Sequence, residues 1–273
     1  MKNNISTLIA SALVLASLQT AAFAHGASKN VRLHVNPRWS QCSFQLDPAL
    51  TQEAWHQFTN EAGLVVYFRS LTDAKPMGVG NYEFSLLDWE SSIDDTRSEW
   101  NDTFVHPDSA HWLMEGDRLG IPGLTLKTGI TDRIDVAAYW IKSQGANYGF
   151  WGGQVQYNVI NDSEKKWDAA ARLSFVSLYG PEDFDMTVYG LDLVASKEYG
   201  LFSGLIVLSP YAGVSAYVSS SHEKSAIVSL QDERVLGMRG MLGAVAQISV
   251  ARLAVEYNVA AVNSVSFKVG IGF

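Results

Sequence analysis

The sequence predicts an all-β fold, a transmembrane antiparallel up-and-down β-barrel of about ten strands with one N-terminal amphipathic helix. Three observations predict it. Apolar and polar residues alternate with a period of two through most of residues 78–273, as they do in strands with one face in hydrocarbon and the other in water. Residues 1–24 have the form of a secretory leader, and nothing after them approaches the roughly 20 consecutive apolar residues that a membrane helix needs. The final residues, V-S-F-K-V-G-I-G-F, set Val265, Phe267, Val269, Ile271 and Phe273 on one strand face against Ser266, Lys268, Gly270 and Gly272 on the other. A chain that enters lipid without apolar helices must close its sheet, because hydrocarbon cannot satisfy an open edge.

In the leader, Lys2 opens a short polar start, an apolar run follows, and Ala22-Phe23-Ala24 supplies a small-x-small cleavage site. Ser6, Ser11, Ser17, Gln19 and Thr20 interrupt the run, which speaks against a transmembrane helix. Residues 25–77 are then expected to form a periplasmic or plug segment, ahead of a barrel over 78–273. Within that segment Asp47-Pro48 offers an N-cap and a first-turn proline, and Leu50, Ala54, Trp55 and Phe58 recur near helical spacing until Gly63. The spacing predicts a helix over 47–62, its Trp55 and Phe58 face packed on the barrel, either capping the periplasmic mouth or plugging the lumen. L-V-V-Y-F at 64–68 reads as a short apolar strand, and Val31, Leu33 and Val35 alternate briefly. If both span, the count rises to twelve.

From Gly78 onward the strands follow in order. Tyr82, Phe84 and Leu86 oppose Glu83 and Ser85, and Leu124 and Leu126 oppose Thr125 and Lys127. Val136, Ala138 and Trp140 oppose Asp135, while Trp151, Val155, Tyr157 and Val159 oppose Gln154, Gln156 and Asn158. Trp167, Ala169, Ala171, Leu173 and Phe175 alternate with Asp168, Arg172 and Ser174, the most regular pattern in the chain. Tyr189, Leu191 and Leu193 face away from Asp192, Val214 and Ala216 from Ser215 and Tyr217, Met238 from Arg239, and Leu253, Val255 and Tyr257 from Arg252 and Glu256. The connections near Thr131, Asn161, Lys197 and Ser249 are short and expected to be periplasmic; the two longest, 89–118 and 219–234, fall at the other end. Trp89, Trp140, Trp151, Trp167, Tyr179 and Tyr257 near strand ends are expected to form interfacial girdles.

The closing strand, with its terminal Phe273 and the alternating Phe267, Val269 and Ile271, resembles the C-terminal strand of bacterial outer-membrane β-barrel proteins. That resemblance implies that these residues are the signal read by the barrel-insertion machinery. With N-D-T-F-V-H-P-D-S at 101–109 and G-A-N-Y-G-F-W-G-G at 145–153, the chain looks like an uncharacterised family of proteobacterial outer-membrane β-barrel proteins. The resemblance implies a Gram-negative outer-membrane location and a fold, and no activity.

The ionisable residues on the expected inner face are Glu83, Asp135, Asp168, Asp192 and Glu256 against Lys127, Arg172, Arg239, Arg252 and Lys268. The signs balance, so the set is expected to pair internally as a lumen ionic network rather than to tune a pore for one sign of solute. A barrel of this strand number is only a little wider than one filled by its own side chains.

The formal net charge is -8 and no basic cluster is visible, which excludes a nucleic-acid partner. The single Cys42 excludes an internal disulfide framework and lies too far beyond the leader for a lipoprotein anchor. His106, Asp108 and His111 in the acidic 89–118 loop lack a metal-ligand frame, so no metal site and no cofactor is expected. The leading expectation is a non-enzymatic, porin-like outer-membrane barrel, structural or a narrow small-solute channel. Its partners would be the lipid bilayer, lipopolysaccharide, the insertion machinery and a small solute. Two alternatives stand beside it. One is an omptin-like outer-membrane hydrolase, with His222, Glu223 and the acidic loop at its rim; the other is a periplasmic ligand-binding β-sandwich.

Overall fold

The computed structural model describes residues 43–94, 96–105, 114–115, 118–142 and 146–273. Ten long strands build the wall, each running antiparallel to the next: β1 Tyr82–Ser92, β2 Arg118–Gly129, β3 Ile134–Lys142, β4 Gly149–Asp162, β5 Trp167–Tyr179, β6 Phe184–Lys197, β7 Ile206–Glu223, β8 Glu233–Ile248, β9 Ala251–Val259 and β10 Ser264–Gly272. The sheet closes where β10 pairs with β1, with Lys268 opposite Leu87 and Gly272 opposite Glu83. Tyr82 and Phe273 exchange both backbone hydrogen bonds at that seam, 2.7 and 2.9 Å. The count among the described residues is therefore ten and not twelve: 64–68 does not span, and 31–35 lies outside the described residues.

Alternation converts directly into burial. Along β5 the outward Leu173 is 64% exposed while its neighbours Arg172 and Ser174 are buried. Leu253, Val255 and Tyr257 of β9 likewise face out, and Ala254, Glu256 and Asn258 face in. The leucines and valines thus turn away from the barrel axis and the arginines toward it, the reverse of a water-soluble β-sandwich, whose apolar faces share a core.

Tight connections at one end, here called the turn end, include Ser249–Val250, where Ser249 takes a left-handed φ of 56°. The opposite, loop end carries the connections β1–β2 and β7–β8. The two ends differ inside as well. In the turn-end half the inner wall is polar and charged; in the loop-end half it is mostly apolar, with Leu87, Trp89, Tyr139, Ile141, Phe150, Val176, Leu178, Phe184 and Met186 buried beside the small polar Ser91, Ser219 and Ser221. Trp89 corrects the girdle expectation. It points inward, 1% exposed, and donates its indole N–H to the Val65 carbonyl at 2.8 Å. Trp140, Trp151, Trp167 and Tyr257 do face out.

That apolar half-lumen is filled by residues 43–77, which begin at the loop end and finish at the turn end. Helix α1, Gln52–Val65, starts at Thr51, whose hydroxyl accepts the Ala54 N–H at 3.2 Å. The boundary differs from the expected 47–62 because Asp47 spends its carboxylate on a local turn, accepting the Ala49 N–H at 2.8 Å, and does not cap the helix. Gly63 lies inside the helix and does not end it; a Cβ there would sit 2.6 Å from Ser219 of β7, so the missing side chain sets how closely α1 approaches the wall. Trp55 stacks on Phe58 at 5.5 Å, and both meet Phe184 edge-on. The 64–68 run is not a strand. Leu64 and Val65 end α1, and Val66, Tyr67 and Phe68 continue down the lumen as buried coil.

Candidate functional site

The candidate site is the lumen and the segment that occupies it. Each step of the descending chain is tied to a wall strand. Near the loop end Thr59 donates its hydroxyl to Ser221 Oγ at 3.0 Å, and Tyr217 donates to Asn60 Oδ1 at 2.6 Å. At mid-height Tyr67 donates its hydroxyl to Asp192 Oδ1 at 2.7 Å, while the Arg239 guanidinium lies 3.9 Å over the Tyr67 ring. Arg69 donates to the Val65 and Leu64 carbonyls, which the end of α1 leaves free, and to Ser264 Oγ at 3.0 Å. Lower down, Arg172 Nη2 donates to the carbonyls of Thr72 and Asp73, both at 2.8 Å. Asn158 donates to the Ala74 carbonyl at 2.9 Å, and the Ala74 N–H donates to Ser196 Oγ at 3.0 Å. The Met77 N–H reaches Asp135 at 3.0 Å. Hydrogen bonds with a charged partner are worth about 1.5–3 kcal/mol each when buried.

The ten inner-face ionisable residues divide by task. Glu83 accepts from Lys268 at 2.6 Å and Arg252 at 2.8 Å, and Lys127 meets Asp135 at 3.1 Å. Arg239 and Asp192 stand 3.9 Å apart, with Arg239 also donating to Asn258 Oδ1 at 2.9 Å. Glu256 accepts from the Tyr211 hydroxyl at 2.8 Å and the Asn258 amide at 3.0 Å rather than from a cation. Arg172 serves the plug backbone and Gln156. Asp168 is buried at the turn end and ion-pairs with none of the other nine. No alternation or motif in the sequence marks Tyr67, Arg69, Thr72, Ala74 and Met77 as site residues. Most of what holds their segment is backbone N–H and C=O, which leave no side-chain pattern.

Gly190 of β6 is the inner-wall notch for Tyr67, since a Cβ on it would lie 2.0 Å from the Tyr67 hydroxyl. The variant Gly190→Ala is expected to push the ring away and break its bond to Asp192, two residues along the same face. A loss of about 1–3 kcal/mol is expected, read as a lower thermal midpoint for conversion of the compact, unboiled gel band to the unfolded one. An unchanged midpoint would show that Tyr67 does not bear on the wall.

At the turn end Lys75 Nζ lies 2.6 Å from Glu198 Oε2, with Lys166 at 3.7 Å from Oε1. The hydrogen bond from Lys75 holds the Glu198 carboxyl below the usual glutamate range, against the opposing effect of burial. The stabilisation is present above the ordinary carboxylate value and is lost as pH falls through the depressed one. Unfolding midpoints of the wild type and Glu198→Gln should therefore separate at neutral pH and converge in acid; a constant gap would exclude the linkage.

At the loop end the described side chains of the 89–118 connection pack onto the plug. Helix α2, Ser98–Asn101, brings Trp100 over Phe58, and the Trp100 indole donates to Glu61 Oε2 at 2.6 Å. Burial raises the Glu61 carboxyl above its ordinary value. Asn147 brackets Phe44, accepting its N–H at 2.9 Å and donating to its carbonyl at 2.6 Å. His222 pairs with Asp232 at 2.7 Å and His56 with Glu233 at 2.7 Å on the exposed rim. No group of three metal-ligating side chains occurs among the described residues. His106, Asp108, His111 and Cys42 lie outside them. Phe267, Val269, Ile271 and Phe273 all face outward.

Fold and site together define a closed antiparallel ten-stranded barrel with an apolar outside and a lumen occupied by its own chain. No family profile and no curated protein matches the sequence. Among solved structures it is similar to the β domain of the Bordetella autotransporter BrkA, with 11% identity and a TM-score of 0.41, covering 71% of this chain and 99% of that one. It is also similar to the translocator domain of the autotransporter NalP from Neisseria meningitidis, with 9% identity and a TM-score of 0.37, covering 81% of this chain and 95% of that one. LpxR from Salmonella typhimurium matches with 10% identity and a TM-score of 0.36, covering 68% and 99%. At such values nothing about function passes from them to this chain.

Proposed function

We propose that the protein is a sealed, non-enzymatic barrel of the bacterial outer membrane, exported through a leader at 1–24 and inserted by machinery that reads Phe267, Val269, Ile271 and Phe273. One observation carries this reading: every wall strand turns large apolar side chains outward, while the buried charges lie within. A continuous outward band of Leu, Val, Tyr and Trp suits hydrocarbon and would be an aggregation surface in water. The partners are then the bilayer and, in its outer leaflet, lipopolysaccharide. The long connections face the exterior and the tight turns the periplasm. The sealed reading, against a small-solute channel, is supported by Trp55, Phe58, Tyr67 and Phe68, which stand in the lumen without access to solvent.

The test is a charge on the outer face at mid-height. Leu173→Arg is expected to cost about 2–4 kcal/mol, the penalty for a cation at the bilayer midplane, and to lower the fraction of a heat-modifiable band recovered with outer membranes. A protein found in the soluble periplasmic fraction, with Leu173→Arg as stable as wild type, would overturn the assignment.

A further inference from the structure

The direction of the plug has a topological consequence. Residues 43–44 pair antiparallel with residues 104–105 at the loop end, and the Leu46 N–H is held there by Asp183. The chain then descends past Ser221, Asp192 and Arg172 to Asp135, and the Gly80 N–H bonds to the Gly129 carbonyl at the turn end. Only there does it reverse into β1. The polypeptide therefore enters the lumen from the loop end, although the strand it leads into starts at the turn end.

Resting on the outer-membrane reading above, we infer that this barrel has a further function, the presentation on the cell's outer surface of the polypeptide that precedes Ser43. Among the described residues the lumen offers no return path. The lumen is filled to the point that Trp55 and Tyr67 have no exposed surface, which leaves no width for a second strand. A route back through the bilayer would strip backbone N–H and C=O groups of their partners, at several kcal/mol for each group. The start of the plug is itself part of the outer rim: Pro48, Ala49, Thr51, Glu53 and His56 are exposed, and Gln52 receives the Gln231 N–H of the β7–β8 loop at 2.8 Å.

Three epitope insertions in the full-length chain test this on intact cells: between Ala27 and Ser28, between Ala226 and Ile227 in the outer loop, and between Ser163 and Glu164 in a turn. Antibody is expected to label the first two, and the third only after permeabilisation. Labelling of the outer loop with a protected Ala27 insertion would overturn presentation and leave the barrel reading intact. Labelling of the turn alone would mean an inverted barrel and would overturn both. Because an insertion can be trimmed by proteases, Ala49→Cys in a Cys42→Ser background gives a second readout. It is expected to react with a membrane-impermeant maleimide on whole cells at least ten times faster than Cys placed at Ser163, and equal rates would contradict the inference.

Discussion

Deletion of residues 43–77 is expected to turn a silent barrel into a conducting one. In the intact chain the loop-end half of the lumen holds an aromatic core in which Trp55, Phe58, Phe104 and Phe184 are buried together. The turn-end half is polar, but Arg172, Asn158, Ser196 and Asp135 are occupied by the descending backbone. Without the segment those groups can hydrate, and the wall keeps every strand pair, including the β10–β1 closure. Barrels only slightly wider than eight strands have interiors close to the size that side chains fill, so the resulting pore should be narrow. In planar bilayers the full-length protein should show no steady conductance and the shortened one discrete steps. A heat-modifiable band from the shortened chain would establish that it still folds. Equal silence from a folded, shortened barrel would mean that the wall side chains alone seal it.

The sheet was readable because two solvents wrote two different faces into it. Leu173 beside Arg172, and Val255 beside Glu256, need no tertiary information to be assigned outward and inward. Reading failed where the inner face stopped being wet. Trp89, Phe150 and Val176 point inward like Glu83 and Arg172 do, but they are buried in one apolar core with Trp55 and Phe58 of α1, so the polarity rule that places a residue inside breaks at about half the barrel height. The segment 64–68 was opaque for a related reason: a run buried on every side has neither a strand nor a helix period. Its anchors were hidden too, because Thr72, Asp73 and Ala74 act through carbonyls. A hint lay in Gly190, an inner-face glycine beside Asp192 whose vacancy only a side chain from elsewhere could explain.

The second large effect is expected at the seam. Glu83 on β1 is the carboxylate that Lys268 on β10 and Arg252 on β9 share, with Ser85 donating a third hydrogen bond at 2.9 Å. Lys268 is 2% exposed, so Glu83→Ala leaves a buried ammonium without its counter-ion at the point where the barrel closes. Breaking a buried pair from one side costs about 3–5 kcal/mol, whereas replacing both partners by apolar groups is often nearly neutral. Glu83→Ala should therefore lower the urea midpoint sharply, and Glu83→Ala with Lys268→Met should regain most of the loss. The coupling in that double-mutant cycle, rather than either single value, measures the pair. If Glu83→Ala unfolds at the wild-type midpoint, the seam charges are hydrated in the folded state. The lumen would then hold water past the plug at its turn end, and the seal would reside in the aromatic half alone.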